Sequence, residues 1–136
     1  MVKVDGTEVH EGLYYTKDFE WAKIEGDKVR IGVTDYAQKQ LREIVYAELP
    51  SPGTTITQST PYGTVESVKA VSDLIAPISG EILEVNQEVQ SKPELLNEDP
   101  YGKAWLLVLK PSNLQAELPN LMDFDKSVEW HKTLGK

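Results

Sequence analysis

The chain has 136 residues, of which 40% are hydrophobic and 26% charged, a composition typical of a globular domain that buries its own core. It contains no cysteine, which excludes disulfides and thiolate metal sites, so any redox chemistry must come from a cofactor. The formal net charge of −8 argues against nucleic acid and anionic membranes as partners, and no apolar run approaches the length of a membrane span.

The first ordered region is predicted to begin after a short lead-in. Residues 1–13 have little hydrophobic periodicity, and we expect them to form a flexible segment before a single domain that spans residues 14–136. Two strand-like runs follow, over residues 20–24 and 29–33. The four residues between them have the composition of a turn, which predicts an antiparallel pair.

A short helix is predicted next, before the chain becomes β in character. Thr34 is placed to be its N-cap, and Asp35 in the first turn favours the helix dipole, so the helix should run to about Leu41. A strand over residues 44–49 then ends at a turn rich in proline and glycine.

Two short β-like runs meet at Lys69. Apolar and polar positions alternate on both sides of this lysine, which predicts a β-hairpin with Lys69 at or beside its tip. A lysine on a tight turn has a fixed base and a free amine, which a modifying ligase requires. The alternative is an edge-strand lysine that only keeps the sheet soluble.

An approximate internal repeat flanks this hairpin. Residues 49–56 can be laid over residues 76–83, because each copy ends a strand with a Pro-x-x-Gly turn and then starts another. The repeat predicts two related β units, with Lys69 near the axis between them. Towards the C-terminus we expect one helical turn over residues 91–97, a buried strand over residues 105–109, and two short helices. These helices are predicted to be broken at Pro119 and to end near Gly135.

Other chemistry is poorly represented in the chain. The two histidines, His10 and His131, lie far apart in the sequence, so no metal site or histidine-based catalytic pair is expected. There is no glycine-rich phosphate loop and no Gly-x-Ser-x-Gly motif. The lysine hairpin remains as an attachment point, which favours a carrier over an enzyme.

Five blocks of sequence resemble the H-protein family of the glycine cleavage system, in order and in spacing. They are Thr34-Asp35-Tyr36-Ala37-Gln38, Val45-Tyr46-Ala47-Glu48-Leu49-Pro50, Glu66-Ser67-Val68-Lys69-Ala70-Val71-Ser72-Asp73, Ala76-Pro77-Ile78-Ser79-Gly80-Glu81 and Asn97-Glu98-Asp99-Pro100-Tyr101-Gly102. The resemblance covers roughly residues 14–111 and continues more weakly to the C-terminus. It implies a mainly β fold, the barrel-sandwich hybrid of lipoyl and biotinyl carriers, with short peripheral helices and helices at the C-terminus.

The resemblance also implies a function. Lipoate would be attached covalently to Lys69, and Glu66, three residues earlier, would be recognised by the lipoate-attaching ligase or transferase. The partners would be a pyridoxal-phosphate glycine decarboxylase (P-protein), a tetrahydrofolate-dependent aminomethyltransferase (T-protein) and dihydrolipoamide dehydrogenase (L-protein). We expect a monomeric carrier in the cytoplasm, or in the mitochondrial matrix of a eukaryote.

A groove that shelters the loaded arm is a further implication of the resemblance. Its polar residues would correspond to Asp18, Glu20 and Asp73, since a partly desolvated ammonium needs a counter-charge. The alternative is that all three are solvated surface acids. Phe19 stands where a histidine is common in the family, which weakens the expectation for the groove beside Glu20.

Three other kinds of carrier are alternatives to this family. Biotin carriers typically flank their lysine with methionines, whereas Val68 and Ala70 stand here. Lipoyl domains of 2-oxoacid dehydrogenases usually have Asp-Lys-Ala at the lysine, followed by a linker and a catalytic domain. An H-like protein that stores or relays lipoate to other acceptors, outside glycine cleavage, stays open as the alternative.

The chain departs from the family at several glycines. A glycine commonly ends the helix after Leu41, and this chain has Arg42 there, so the end of the helix is less well defined by the sequence. Ser59 and Ala104 also replace frequent glycines. None of these changes affects Lys69 or Glu66.

Overall fold

The computed structural model describes residues 1–134, which form mainly antiparallel strands with short helices around them. The strands are β1 (Val2–Val4), β2 (Thr7–Val9), β3 (Tyr14–Tyr15), β4 (Glu20–Glu25), β5 (Lys28–Val33), β6 (Ile44–Glu48), β7 (Thr55–Ile56), β8 (Pro61–Ser67), β9 (Val71–Ile75), β10 (Gly80–Val85) and β11 (Leu107–Pro111). The helices are α1 (Asp35–Leu41), α2 (Gln87–Ser91), α3 (Leu95–Glu98), α4 (Leu114–Glu117) and α5 (Phe124–Leu134), with a 3-10 turn at Leu118–Asn120.

The larger sheet has six strands in the order β3-β4-β5-β11-β10-β7. The predicted antiparallel pair is confirmed as β4 and β5, whose turn contains Gly26 at a φ of 65°. Gly32 of β5 lies against the buried ring of Trp21, so closely that a Cβ would fall 2.6 Å from a ring carbon. The packing of this sheet therefore depends on a glycine near the end of β5.

The smaller sheet has three antiparallel strands in the order β6-β8-β9 and carries the lysine hairpin. One face points inward, where Ala47, Val65 and Leu74 are buried. The central strand contains a β-bulge, because Pro61 pairs with Ile75 and Gly63 pairs with Leu74, so that Tyr62 is the additional residue. A bulge redirects a side chain that strict alternation would have placed on the other face.

The main core lies between the two sheets and is lined by aliphatic side chains from both. Its members include Val29, Ile31, Ile44, Ile82 and Leu107, each at most 2% exposed. The register that pairs β7 with β10 brings the two restarted strands of the sequence repeat side by side, with Gly80 opposite Ile56.

The N-terminal segment differs from the flexible lead-in expected over residues 1–13. Here β1 and β2 form a hairpin, and Val4 and Val9 are buried with Tyr15 and Trp21 in a second core cluster. The carboxylate of Asp35 accepts a hydrogen bond at 2.8 Å from the backbone N–H of Glu8. Three-residue strands are too short to produce a periodic pattern, which explains why the sequence did not indicate them. The assignment of residues 14–136 to a single domain stays a prediction.

The predicted helix is confirmed as α1, with Thr34 as its N-cap accepting a hydrogen bond from the N–H of Ala37. It ends at Arg42, whose backbone has a φ of 67° and a ψ of −137°. That combination is almost restricted to glycine, so the arginine is held in a strained conformation. Ser59, at another position where family members often have glycine, has a φ of 68°.

The C-terminal helices are also present, as α4 and α5, with Pro119 in the 3-10 turn between them. The predicted helical turn over residues 91–97 is instead two short helices, α2 and α3, separated by three residues that include Pro93. The expectation that the last helix ends near Gly135 lies outside the described residues.

Candidate functional site

Lys69 lies on the three-residue connection between β8 and β9, as the sequence predicted. The turn is closed by the N–H of Ser67, which donates to the carbonyl of Ala70 at 2.8 Å, and by the N–H of Ala70, which donates to Ser67 Oγ at 3.1 Å. A third bond, from the N–H of Val68 to the carbonyl of Glu43 at 3.0 Å, ties the turn to the start of β6. The backbone under Lys69 is therefore fixed, while its side chain is exposed.

The lysine's surroundings in the described part of the chain leave its amine accessible. Lys69 forms no ion pair or hydrogen bond there. Its neighbours Val68 and Val71 are 71% and 67% exposed, so they do not cover the lysine side chain. Glu66 lies near the end of β8, where it pairs with Tyr46 on one side and Val71 on the other. Its side chain is exposed, on the same face of the sheet as its cross-strand neighbour Val71.

A cleft of about 180 Å³ opens beside the lysine hairpin, between β9 and α1. Its aliphatic lining consists of Val33, Ala37, Leu41, Val65 and Leu74. The three predicted acids, Asp18, Glu20 and Asp73, all line this same cleft. Ser72, also in the lining, is three residues from Lys69, which corresponds to about 10 Å along a strand.

The three acids occupy different environments within the cleft. Asp18 and Asp73 are exposed, whereas Glu20 is only 1% exposed. One oxygen of Glu20, Oε1, accepts a hydrogen bond at 2.6 Å from the hydroxyl of Tyr62. The other oxygen, Oε2, is buried and has no hydrogen-bond partner among the described residues. The view that all three are solvated surface acids therefore does not hold for Glu20.

Burial raises the pKa of both side chains in this pair. It raises the pKa of Glu20 well above 4.5, against the lowering effects of the Tyr62 hydrogen bond and of the backbone N–H of Ile75. Burial likewise raises the pKa of Tyr62 well above 10, with the nearby carboxyl of Glu20 acting in the same direction. The cleft thus contains one buried carboxyl group, whose charged form is disfavoured by burial, below two exposed carboxylates.

Phe19 forms part of the cleft wall, in a conformation that the sequence does not indicate. Its φ is 66°, and the tight turn around it is held by hydrogen bonds from the N–H of Phe19 to Thr16 and from the N–H of Thr34 to Phe19. The ring packs in a tilted arrangement on Tyr36 of α1 and stacks on Trp130 of α5, with centroid distances of 4.9 Å and 5.3 Å. The aromatic residue that replaces the common histidine therefore joins two helices beside the cleft.

Sequence reasoning missed Tyr62, Tyr36 and Trp130 as neighbours of the site. Tyr62 reaches Glu20 because of the bulge in β8, and no periodic pattern predicts a bulge. Tyr36 and Trp130 lie 94 residues apart in the chain, and both pack against Phe19 and against His131. The one signal in the sequence for these aromatic neighbours was Phe19, which stands where a histidine is common in the family.

A second groove, of about 320 Å³, lies on the other side of the Asp18 segment. It is lined by polar residues such as Gln58, Ser59 and Asn120 and shares only Asp18 with the cleft. We assign the candidate site to the smaller cleft, because its apolar lining suits a hydrocarbon arm and it adjoins the hairpin.

Metal-binding groups and membrane-spanning helices were sought within residues 1–134. No three or more His, Asp or Glu side chains of residues 1–134 are grouped so that they could hold a metal ion. None of the helices in this part of the chain has the length and apolar character needed to cross a membrane.

Comparisons with known proteins agree on one family. The model of the glycine cleavage H-protein family matches residues 13–134. A probable glycine cleavage system H protein of Pyrococcus horikoshii is 52% identical over 135 residues, which cover 98% of this chain and all of the relative. The corresponding protein of Geobacillus thermodenitrificans is 56% identical over 110 residues, or 81% of this chain and 86% of the relative.

A solved structure gives the same result at the level of the fold. The crystal structure of a glycine cleavage system H protein from Mycobacterium marinum superposes with a TM-score of 0.82 and 36% identity, and covers 93% of this chain and 100% of that one. This similarity confirms the predicted class, a mainly β barrel-sandwich with short helices.

Proposed function

The chain belongs to the glycine cleavage H-protein family, whose members carry lipoate, and from this premise we propose that it is a lipoyl carrier with lipoate attached to Lys69. The observation that carries the proposal is the exposed amine of Lys69 on a turn whose backbone is fixed by three hydrogen bonds. Lipoate on Lys69 would supply a dithiolane whose sulfur can carry an aminomethyl group and whose two sulfurs can cycle between disulfide and dithiol at the partner enzymes. The chain itself acts as a carrier without a reaction of its own.

The residues around the lysine fit this group. Amide formation on Lys69 removes one positive charge and adds an apolar arm, and the aliphatic lining of the cleft provides a place for that arm. The fixed turn limits the volume that the arm explores, which raises its effective concentration at a docked enzyme. The partners of the carrier are the glycine decarboxylase, the aminomethyltransferase and dihydrolipoamide dehydrogenase, together with the ligase or transferase that attaches lipoate.

The cleft acids have a role in holding the loaded arm. A cationic amine that enters the cleft meets Asp18 and Asp73 at the rim and the buried carboxyl of Glu20 below them. A desolvated ammonium needs such counter-charges, because burying it unpaired is costly. The same enclosure keeps water away from a group that is readily lost by hydrolysis. The carrier acts in the cytoplasm, or in the mitochondrial matrix if its organism is a eukaryote.

Reconstitution with the three partner enzymes tests the carrier role. Glycine-dependent formation of NADH should require the lipoylated chain, and Lys69→Arg should fold normally and support none, because arginine keeps the charge but has no amine that can be acylated. If the lipoylated chain instead gives no glycine cleavage but passes lipoate to another acceptor protein, the relay role replaces this proposal.

Glu66 is proposed as an anionic mark that the lipoate-attaching enzyme recognises. Because the side chain is exposed, Glu66→Ala should slow lipoylation while changing the free energy of unfolding by less than about 0.5 kcal/mol. The exposed Glu81 on β10 provides a matched control, since Glu81→Ala should alter neither property. An unchanged rate of lipoylation with a lower melting temperature would make Glu66 a structural residue.

Glu20 is tested in the loaded form without the aminomethyltransferase. Glu20→Ala should leave lipoylation intact and speed the unaided loss of ammonia and formaldehyde. Glu81→Ala is again the control. Equal rates of loss from the wild-type and Glu20→Ala proteins would remove Glu20 from the protective role.

A further inference from the structure

Tyr62 contacts the buried acid of the cleft from an unexpected position. It is the additional residue of the β-bulge in β8, so its side chain is not placed by the alternation of that strand. Gly63, the next residue, permits the bulge, because a Cβ there would collide with the backbone carbonyl of Glu48. The local backbone is thus arranged to direct the Tyr62 hydroxyl to Glu20, 42 residues away in the chain.

The hydrogen bond leaves the two oxygens of Glu20 unequal. Oε1 is occupied by the Tyr62 hydroxyl at 2.6 Å, while Oε2 is buried without a partner among the described residues. Buried polar atoms are nearly always paired, so an unpaired oxygen in the lining of a cleft indicates a donor that arrives from outside the chain. With Oε1 fixed, Oε2 is the atom to which that donor can bind.

We propose that Tyr62 is a positioning residue, which holds the carboxyl group of Glu20 so that Oε2 receives the cationic amine of the loaded lipoyl arm. This role rests on the proposed function of the cleft and adds to it a residue that does not itself touch the arm. Tyr62 acts only through Glu20, and it is absent from the residues that line the cleft.

The groups around Glu20 determine how the Tyr62 hydroxyl affects the ionisation of its carboxyl group. Asp18 faces it from the turn before β4 and Asp73 lines the same cleft from β9, while α1 contributes the uncharged Gln40. Burial and Asp18 both raise the pKa of Glu20, while the Tyr62 hydrogen bond and, to a smaller extent, the backbone N–H of Ile75 lower it. Tyr62 therefore favours the ionised form of Glu20, which is the form that pairs with an ammonium. Without the hydroxyl, the carboxyl group should need a higher pH to ionise.

The test compares Tyr62→Phe with Tyr46→Phe, an exposed tyrosine on the same sheet. In the protein without lipoate, NMR follows the chemical shift of the Glu20 carboxyl carbon as the pH is raised. The pH at the midpoint of this titration should be higher in Tyr62→Phe than in the wild type, and it should be unchanged in Tyr46→Phe. A midpoint that does not move in Tyr62→Phe would overturn the proposal. The wild-type protein should also show a slowly exchanging Tyr62 hydroxyl proton, and its absence would count equally against the proposal.

The loaded protein gives the functional comparison, again without the aminomethyltransferase. The pH profile for the loss of ammonia and formaldehyde should shift in Tyr62→Phe in the direction and by the amount of the NMR midpoint. If the midpoint of Tyr62→Phe lies one pH unit higher, this variant should lose ammonia and formaldehyde up to tenfold faster than the wild type at a pH below the midpoint. An unshifted profile overturns the proposal.

Glu20→Ala separates this inference from the proposed function. If Glu20→Ala loses the group faster than the wild type while Tyr62→Phe does not, the protective cleft stands and only the role of Tyr62 fails. If Glu20→Ala and the wild type lose the group equally fast, the protective cleft fails, and the proposal for Tyr62 fails with it.

Discussion

The substitution Glu20→Gln tests the buried acid through the pH dependence of stability. Glutamine keeps an oxygen that can accept the Tyr62 hydrogen bond, and it has no charge at any pH. Burial raises the folded-state pKa of Glu20 above its ordinary value of 4.5, so above that value the folded wild-type protein binds more protons than the unfolded one. Its stability therefore falls as the pH rises, and the glutamine variant escapes this loss.

The magnitude follows from linkage. Below pH 4.5 the side chain is protonated in both states, and the two proteins should differ by less than about 1 kcal/mol. Above pH 4.5, the free energy of unfolding of the glutamine variant should increase relative to that of the wild type by about 1.4 kcal/mol for each pH unit. This increase should stop once the pH exceeds the folded-state pKa of Glu20. All other titrating groups cancel in the difference, because both proteins share them.

Urea denaturation at a series of pH values measures this difference directly. The exposed Glu66 supplies the control, since Glu66→Gln should change the free energy of unfolding by less than about 0.5 kcal/mol at every pH. A difference between Glu20→Gln and wild type that stays constant from pH 4 to pH 8 would refute the reasoning, because it would mean that Glu20 ionises normally in the folded protein.

Three other predictions follow from local geometry. Arg42→Gly should stabilise the protein by about 1 kcal/mol in urea denaturation, because relief of the strained backbone exceeds the entropy cost of glycine, and Arg42→Ala should give no such gain. Gly32→Ala should destabilise it by about 1–3 kcal/mol, since the methyl group would overlap the ring of Trp21; a smaller loss would mean that the ring moves aside. The unlipoylated and lipoylated forms should have nearly the same far-UV circular dichroism and cooperative unfolding, because the core strands do not depend on the arm; a large spectral change would contradict this.

Periodic elements were predictable from the sequence, because their signal is repeated over several residues. The β4–β5 pair, the capped helix α1 and the lysine hairpin all follow from alternation, turn composition or a capping residue. The N-terminal hairpin was not predictable, since each of its strands has only three residues and its stability comes from contacts with distant residues such as Asp35.

The candidate site shows the same division. The resemblance to the family indicated Asp18, Glu20 and Asp73, and the structure brings all three to one cleft. The resemblance gave no sign that Glu20 is buried, because the burial of this side chain depends on how the two sheets pack. Tyr62 escaped notice for a related reason: a single additional residue in β8 redirects its side chain, and a bulge leaves no periodic pattern.

The attachment of lipoate to Lys69 is the central claim, and mass spectrometry tests it most directly. The chain is produced in a host that supplies lipoate and a lipoate-attaching enzyme, and its intact mass and peptides are then measured. We predict one lipoyl group per chain, located on the peptide that contains Lys69, and none on the Lys69→Arg variant. Lipoate on any other lysine, or a wild-type chain that stays unmodified under conditions in which a known acceptor is modified, would contradict the account.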